Sequence, residues 1–306
     1  MNNASNDDRL ADLAPEDWNE IDVGTRIDLN GKTTYHVLTS DRRVGYFVEK
    51  VYNDKQSLVR ILKRGKNSRS ETDFSPETGD VVRIFEASTL PDGNSMTKEI
   101  VYGGDRCTET VVIVGISGEL IRTVQRESVG LRTLYQGQTD YRKDGVPSAT
   151  INHTMDPKNG KLAHREQIRW LKDGHRALTE HFFFTSNGAV TKYTKVLYHA
   201  CGGPFIEETH RYAESGPMLR REIIQYNPAG VQTAADLTMY DEKGDVTERS
   251  TTYYDHRGAA IARHTGDCPP AESWLEEGEQ ILRQMGGEDI DLSQSFDHSS
   301  SPGASF

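Results

Sequence analysis

The sequence predicts an all-β protein: a long antiparallel meander of 14-residue strand-turn repeats forming a curled or barrel-like sheet, followed by a short C-terminal helix. Three observations carry that prediction. Gly160, Gly174, Gly188, Gly202, Gly216, Gly230, Gly244 and Gly258 follow one another at a constant spacing of fourteen. Four residues before each glycine after the first stands an aromatic residue: Trp170, Phe184, Tyr198, Tyr212, Tyr226, Tyr240 and Tyr254. Between the turns the residues are β-formers, as in "VTKYTKVLY" and "VTERSTTYY", with no apolar stripe at helical spacing.

Taken in chain order, residues 1–30 are polar and acidic around Trp18 and read as an N-terminal arm or short cap. The β-repeat domain spans residues 31–266, ragged at first and regular from about residue 146. In the ragged part, Tyr52-Asn53-Asp54-Lys55-Gln56 has the turn pattern without its glycine, and Gly79, Gly93 and Gly118 mark further turns. Tyr141 to Gly145 then opens the regular series. About fifteen strands are expected, and a sheet of that width must curl, split or close.

Each regular turn resembles Asn227-Pro228-Ala229-Gly230, a type I turn closed by a glycine in the left-handed region. Such a loop makes a three-residue hairpin with a glycine bulge. With each glycine counted as zero, a symmetric hairpin sets position ten against position two of the next strand, eight against four and six against six. Every even position then shares one face.

That register builds columns. Position six becomes an acidic row of Glu166, Glu180, Glu208, Glu222 and Asp236, and position ten an aromatic column along the two rims. On the other face position five holds Arg165, Arg221, Arg249 and Arg263. Like charges directly opposite one another destabilise a sheet, so the row needs solvent, cations or neighbours such as His164, Lys192, His210 and Arg220. The row is the candidate binding surface. The aromatic column is read as structural, since rings beside aliphatic residues stabilise strand pairs.

Residues 267–287 read as a C-terminal helix stopped at Gly286-Gly287, with Trp274, Ile281, Leu282 and Met285 on one face and a sheet edge to cover. Residues 288–306 are rich in Ser and Asp and read as a disordered tail.

Composition narrows function. Against 36 Lys and Arg stand 47 Asp and Glu, a net charge of -11 that disfavours nucleic acid as a partner. No apolar run is long enough for a membrane helix, and acidic and basic columns on opposite faces leave no lipid-compatible side for a membrane barrel. The first residues lack the basic and apolar regions of a signal peptide, and Cys107, Cys201 and Cys268 are too few for a disulfide framework. A cytoplasmic location is expected, with signal-less secretion left open.

Nucleotide-binding loops, a nucleophile elbow and a zinc-protease helix motif are all missing from the sequence. The histidines show no ligand spacing, and His199 with Cys201 sits in a repeat turn. No catalytic residues, metal or cofactor are expected.

Residues 226–265, with Tyr226-Asn227-Pro228-Ala229-Gly230, Tyr240-Asp241-Glu242-Lys243-Gly244 and Tyr254-Asp255-His256-Arg257-Gly258, resemble the YD repeat of Rhs-type proteins. The resemblance implies a wound β-sheet that encloses or presents something, often a toxin, without catalysis by the repeats. The chain departs from it in its short length and strict period. The expected function is a non-enzymatic protein-binding scaffold that offers a repeated sheet surface to a basic protein partner. Two alternatives are a signal-less secreted or toxin-associated protein of the Rhs type, and a ligand carrier or enzyme with an enclosed pocket.

Overall fold

A computed structural model describes residues 19–27, 33–41, 46–214, 216–266 and 272–286. The chain divides into two compact units, residues 1–133 and 134–306. Residues 288–306, read as a tail, lie outside the described residues.

Unit one is an antiparallel meander of β1 (Asn19–Ile27), β2 (Thr33–Asp41), β3 (Tyr46–Tyr52), β4 (Leu58–Arg64), β5 (Ser68–Phe74), β6 (Val81–Thr89), β7 (Ser95–Gly103), β8 (Arg106–Val114) and β9 (Leu120–Val129). Its first strand corrects the sequence reading, because β1 lies inside the segment taken as an arm and pairs with β2. Ile21, Val23, Thr25 and Ile27 alternate with polar residues, a strand period that the acidic composition had outweighed. Between β3 and β4 the turn without a glycine forms as expected. Gln56 takes its left-handed place at φ 60° and donates its N–H to the Asn53 carbonyl. Within unit one, Glu71 of β5 is buried among Arg60, Arg69 and Arg83, each within 3.4 Å.

Unit two continues the pattern with β10 (Arg132–Tyr141), β11 (Pro147–Met155), β12 (Leu162–Trp170), β13 (Arg176–Phe184), β14 (Val190–Tyr198), β15 (Pro204–Tyr212), β16 (Met218–Tyr226), β17 (Gln232–Tyr240), β18 (Val246–Tyr254), β19 (Ala260–Thr265) and helix α1 (Glu272–Gly286). The described residues therefore hold nineteen strands rather than about fifteen. Much of the excess comes from β1 and from the short strands and connections of unit one.

The hairpins have the expected turn. In the β16–β17 turn Gly230 has φ 78°, its N–H reaches the Asn227 carbonyl at 2.8 Å, and Asn227 N–H reaches the Val231 carbonyl at 2.9 Å. The Asn227 side chain accepts the Ala229 and Val231 N–H groups, and Asp241 and Asp255 repeat this in the next two turns. The hydrogen bonds that the Ala259 and Arg257 N–H groups donate to Asp255 hold its carboxyl below the usual range.

Position ten meets position two as predicted: Trp170 faces Arg176, Phe184 faces Val190, Tyr198 faces Pro204, and the series runs on to Tyr254 facing Ala260. One step further the predicted register fails. Arg169 pairs with Leu178, leaving Ala177 at position three unpaired, and the same bulge recurs in every regular hairpin. Hydroxyls hold several of these bulges, as where Thr191 donates to the Phe183 carbonyl at 3.2 Å and Thr233 to the Gln225 carbonyl at 3.1 Å. One extra residue per hairpin exchanges odd for even at each step. A given repeat position therefore alternates between the two faces along the sheet.

Among the described residues no pairing joins β10 to β19 or β1 to β9, so the strands of neither unit close into a barrel. Closure needs a stagger that accumulates from strand to strand. A hairpin register repeated without drift supplies none.

Helix α1 covers part of a sheet face, not the edge expected from sequence. Trp274, Leu275 and Ile281 pack on a core of Leu171, Ala177, Leu178, Leu197, Phe205, Ile206 and Ile223. Gly278 permits the approach: a Cβ there would lie 2.9 Å from Leu197 and 3.1 Å from Ile206. Leu282 and Met285, read as part of the apolar face, lie outside the residues whose side chains are described. Among the described residues no helix is long and apolar enough to cross a membrane.

Candidate functional site

The bulges take the acidic row apart. Glu180, Glu208 and Asp236 project from the face that carries α1, here the helix face, whereas Glu166 and Glu222 project from the reverse face. The pairings fix this: Glu166 stands opposite His181, Glu180 opposite Gln167 and Lys195, Glu208 opposite Lys195 and Ile223, and Asp236 opposite Ile223 and Thr251. No continuous acidic strip crosses either face of unit two. The opposed arginine column dissolves in the same way, since Arg165, Arg221 and Arg249 share the helix face with three of the acids while Arg263 falls on the reverse face.

Each acid has its own surroundings. On the reverse face Glu166 accepts the Asn152 amide at 2.7 Å, and Glu222 pairs with Arg220 at 3.0 Å. On the helix face Glu208 is buried and accepts Arg221 Nε at 2.8 Å, with His210 Nε2 also at 2.8 Å. Burial alone would raise its carboxyl, but the His210 hydrogen bond and the Arg221 charge outweigh burial and hold it below the usual range. Asp236 accepts the Thr251 hydroxyl at 2.8 Å and has Arg249 at 3.5 Å.

Glu180 differs. It accepts the Tyr193 hydroxyl at 2.7 Å, and among the described residues no cation lies within ion-pair distance of it. Lys195, opposite it on β14, is turned to Glu279 of α1 at 2.6 Å. Arg165 is near enough to feel the Glu180 charge, yet its guanidinium lies over the Phe182 ring at 4.4 Å. Burial first, and the Glu180 charge second, push the Tyr193 hydroxyl far above the usual phenol range, so it remains a hydrogen-bond donor.

The aromatic column follows the alternation of faces. Phe184 and Tyr212 come to the helix face at one rim, while Trp170 and Tyr226 come to the reverse face at the other. Trp170 donates its indole N–H to Thr150 at 3.1 Å, and burial together with Glu207, at 3.3 Å, pushes the Tyr226 hydroxyl up to about 12. Tyr198, Tyr240 and Tyr254 face Pro204, Val246 and Ala260 and serve strand pairing.

At the rim away from α1, the helix face opens into a pocket of about 490 Å³. Phe182, Phe184, Tyr193, His210 and Tyr212 line it, together with Gln167, the 188–190 turn and Glu180. Phe182 and Tyr193 meet at 5.0 Å and 45°, and Tyr193 and His210 at 5.4 Å and 60°, so the rings stand as inclined walls. His210 Nδ1 lies 3.1 Å from the Tyr212 hydroxyl and its Nε2 faces Glu208. Of the predicted acidic residues, the pocket gathers Glu180 alone; of the aromatic column it gathers Phe184 and Tyr212.

Sequence reasoning passed over Tyr193 and Phe182. The signal lay in every second repeat: position five on the helix face reads Arg165, Tyr193, Arg221, Arg249, with one member out of series.

Other candidates resolve quietly. Cys201 Sγ lies 3.8 Å from the Pro228 carbonyl and the His199 ring meets Phe205 at 4.7 Å and 59°, so each is engaged with a different neighbour. Among the described residues no cluster of three or more His, Cys, Asp or Glu has a metal-holding arrangement. Compared with protein-family models and with curated proteins, the chain matches none.

Proposed function

We propose that the chain is a non-enzymatic scaffold that binds a basic protein partner on the helix face of unit two. The observation that carries this reading is the pocket on the helix face at the rim away from α1, where aromatic walls surround a carboxylate whose charge no neighbouring cation pairs. Concave apolar sites with a few convergent polar groups are the usual places of recognition, and aromatic anchors dominate the energy of protein contacts. The net charge of -11 steers a basic partner toward the chain at low salt. Binding through one pocket replaces binding along the acidic row, since the row is divided between two faces.

A photo-cross-linking residue placed at Val190, on the pocket rim, tests the reading in native lysate. The expected result is a discrete adduct with a basic protein that fades as salt rises. Adducts formed by a cross-linker at Ile261 on β19 with none at Val190 would remove the helix face as the binding surface.

A further inference from the structure

Glu180, Glu208 and Asp236 occupy equivalent places two repeats apart on one face. Each meets position five of the following strand, thirteen residues on: Tyr193, Arg221 and Arg249 respectively. Two of the three acids are therefore answered by an arginine of the chain. The third is answered by a phenol, which donates a hydrogen bond and brings no charge. It is also the acid that faces the pocket.

From this we propose that the pocket is a subsite for an organic cation bearing N–H donors, the chemistry of a guanidinium or alkylammonium group. Such a group would supply at Glu180 the charge that Arg221 supplies at Glu208. Three features of the site favour it. Tyr193 occupies one carboxylate oxygen of Glu180 and leaves lone pairs for further donors. The inclined faces of Phe182 and Tyr193 attract cations through their quadrupoles, and Arg165 already rests on Phe182 at 4.4 Å. Lys195, which would otherwise compete, is held by Glu279.

The cation has two possible sources, an arginine or lysine side chain of a protein and a free polyamine. This inference uses the site of the scaffold reading and names what enters it, but the two fail separately.

The test is calorimetric titration of the full chain with N-acetyl-arginine amide, with its neutral isostere N-acetyl-citrulline amide, with spermidine and with an arginine-containing peptide. Binding of the cations without binding of citrulline is expected. Glu180→Gln, which keeps an acceptor for Tyr193 while removing the charge, should weaken binding at least about tenfold. Tyr193→Arg supplies the internal partner found at Glu208 and should abolish binding while the melting temperature holds. Glu222→Gln, on the reverse face, should change nothing. Peptide binding far tighter than spermidine assigns the protein source, and the reverse assigns the free amine. Equal binding of arginine and citrulline, or unchanged affinity in both Glu180→Gln and Tyr193→Arg, overturns the proposal. Cation binding without a Val190 adduct would sink the scaffold and leave the subsite standing; an adduct insensitive to Glu180→Gln would do the opposite.

Discussion

Glu166 and Glu180 hold the same place in consecutive repeats and leave the sheet on opposite faces, one across from His181 and the other across from Gln167. A single unpaired residue per hairpin causes this. It brings acids at position six beside arginines at position five of the next strand and removes the like-charge ladder that an unbulged register would force.

The bulge hydroxyls hold that register. Thr233→Val keeps the shape and loses the bond to the Gln225 carbonyl, and should cost about 1 kcal/mol in denaturant unfolding. Thr247, at the same position in the next repeat, donates no hydrogen bond of this kind, and Thr247→Val should cost less.

Gln56 does a glycine's work in the β3–β4 turn. A side chain at φ 60° is strained by about 1 kcal/mol, so Gln56→Gly should raise the denaturation midpoint. A lower midpoint would mean that the residue is held by contacts stronger than its strain.

Arg221 is the hinge between sheet and helix, bonded to Glu208 at 2.8 Å and to Glu272 of α1 at 2.8 Å. Arg221→Gln leaves a buried carboxylate without its cation and should destabilise by about 3 kcal/mol. Hydrogen exchange should show α1 opening before the sheet does.

Gly278→Val pushes methyl groups into Leu197, Ile206 and Phe205, and overpacking of this kind costs about 1 to 3 kcal/mol. Protease cleavage between β19 and α1 should accelerate in that variant.

On the reverse face His164 Nε2 lies 3.1 Å from His181 Nδ1, an arrangement for one shared proton, and the His164 ring stacks on Phe183 at 4.5 Å. Burial foremost depresses both rings below the ordinary value of 6.5, against the opposing pull of Glu166. The unfolded chain therefore binds more protons here than the folded one. Their contribution is complete above 6.5 and is lost as pH falls through the depressed values; His153, also lowered by burial, adds the same sign. Glu208, lowered from 4.5, acts only in a more acidic window. Stability should begin to fall below about pH 6.5, and replacing both His164 and His181 by Gln should flatten that decline. An unchanged slope would acquit the pair.

Much of the fold is legible in the sequence. The glycine period gave the hairpins and the aromatic-to-position-two pairing, and Gly286-Gly287 gave the end of the helix, because turn chemistry and helix stops are written in single residues. Relations within one strand were equally legible, as with Glu208 and His210 or Arg220 and Glu222. The bulge was not. Position three holds Ala177, Thr191, Phe205, Leu219, Thr233, Thr247 and Ile261, a column without a common residue type to announce it. Beyond the pairs at position ten, the cross-strand inferences built on even parity failed with it, the acidic row first.

The alternation of faces also restricts how such a chain can lengthen. One added repeat reverses both the direction of the next strand and the side on which its residues emerge; a second restores both. Copying or losing strands between β15 and the tether of α1 is thus neutral only in pairs. An odd change would carry the helix to the wrong rim, facing away from Lys195 and Arg221, and the sheet keeps a tally of its own ancestry in whether that count is even.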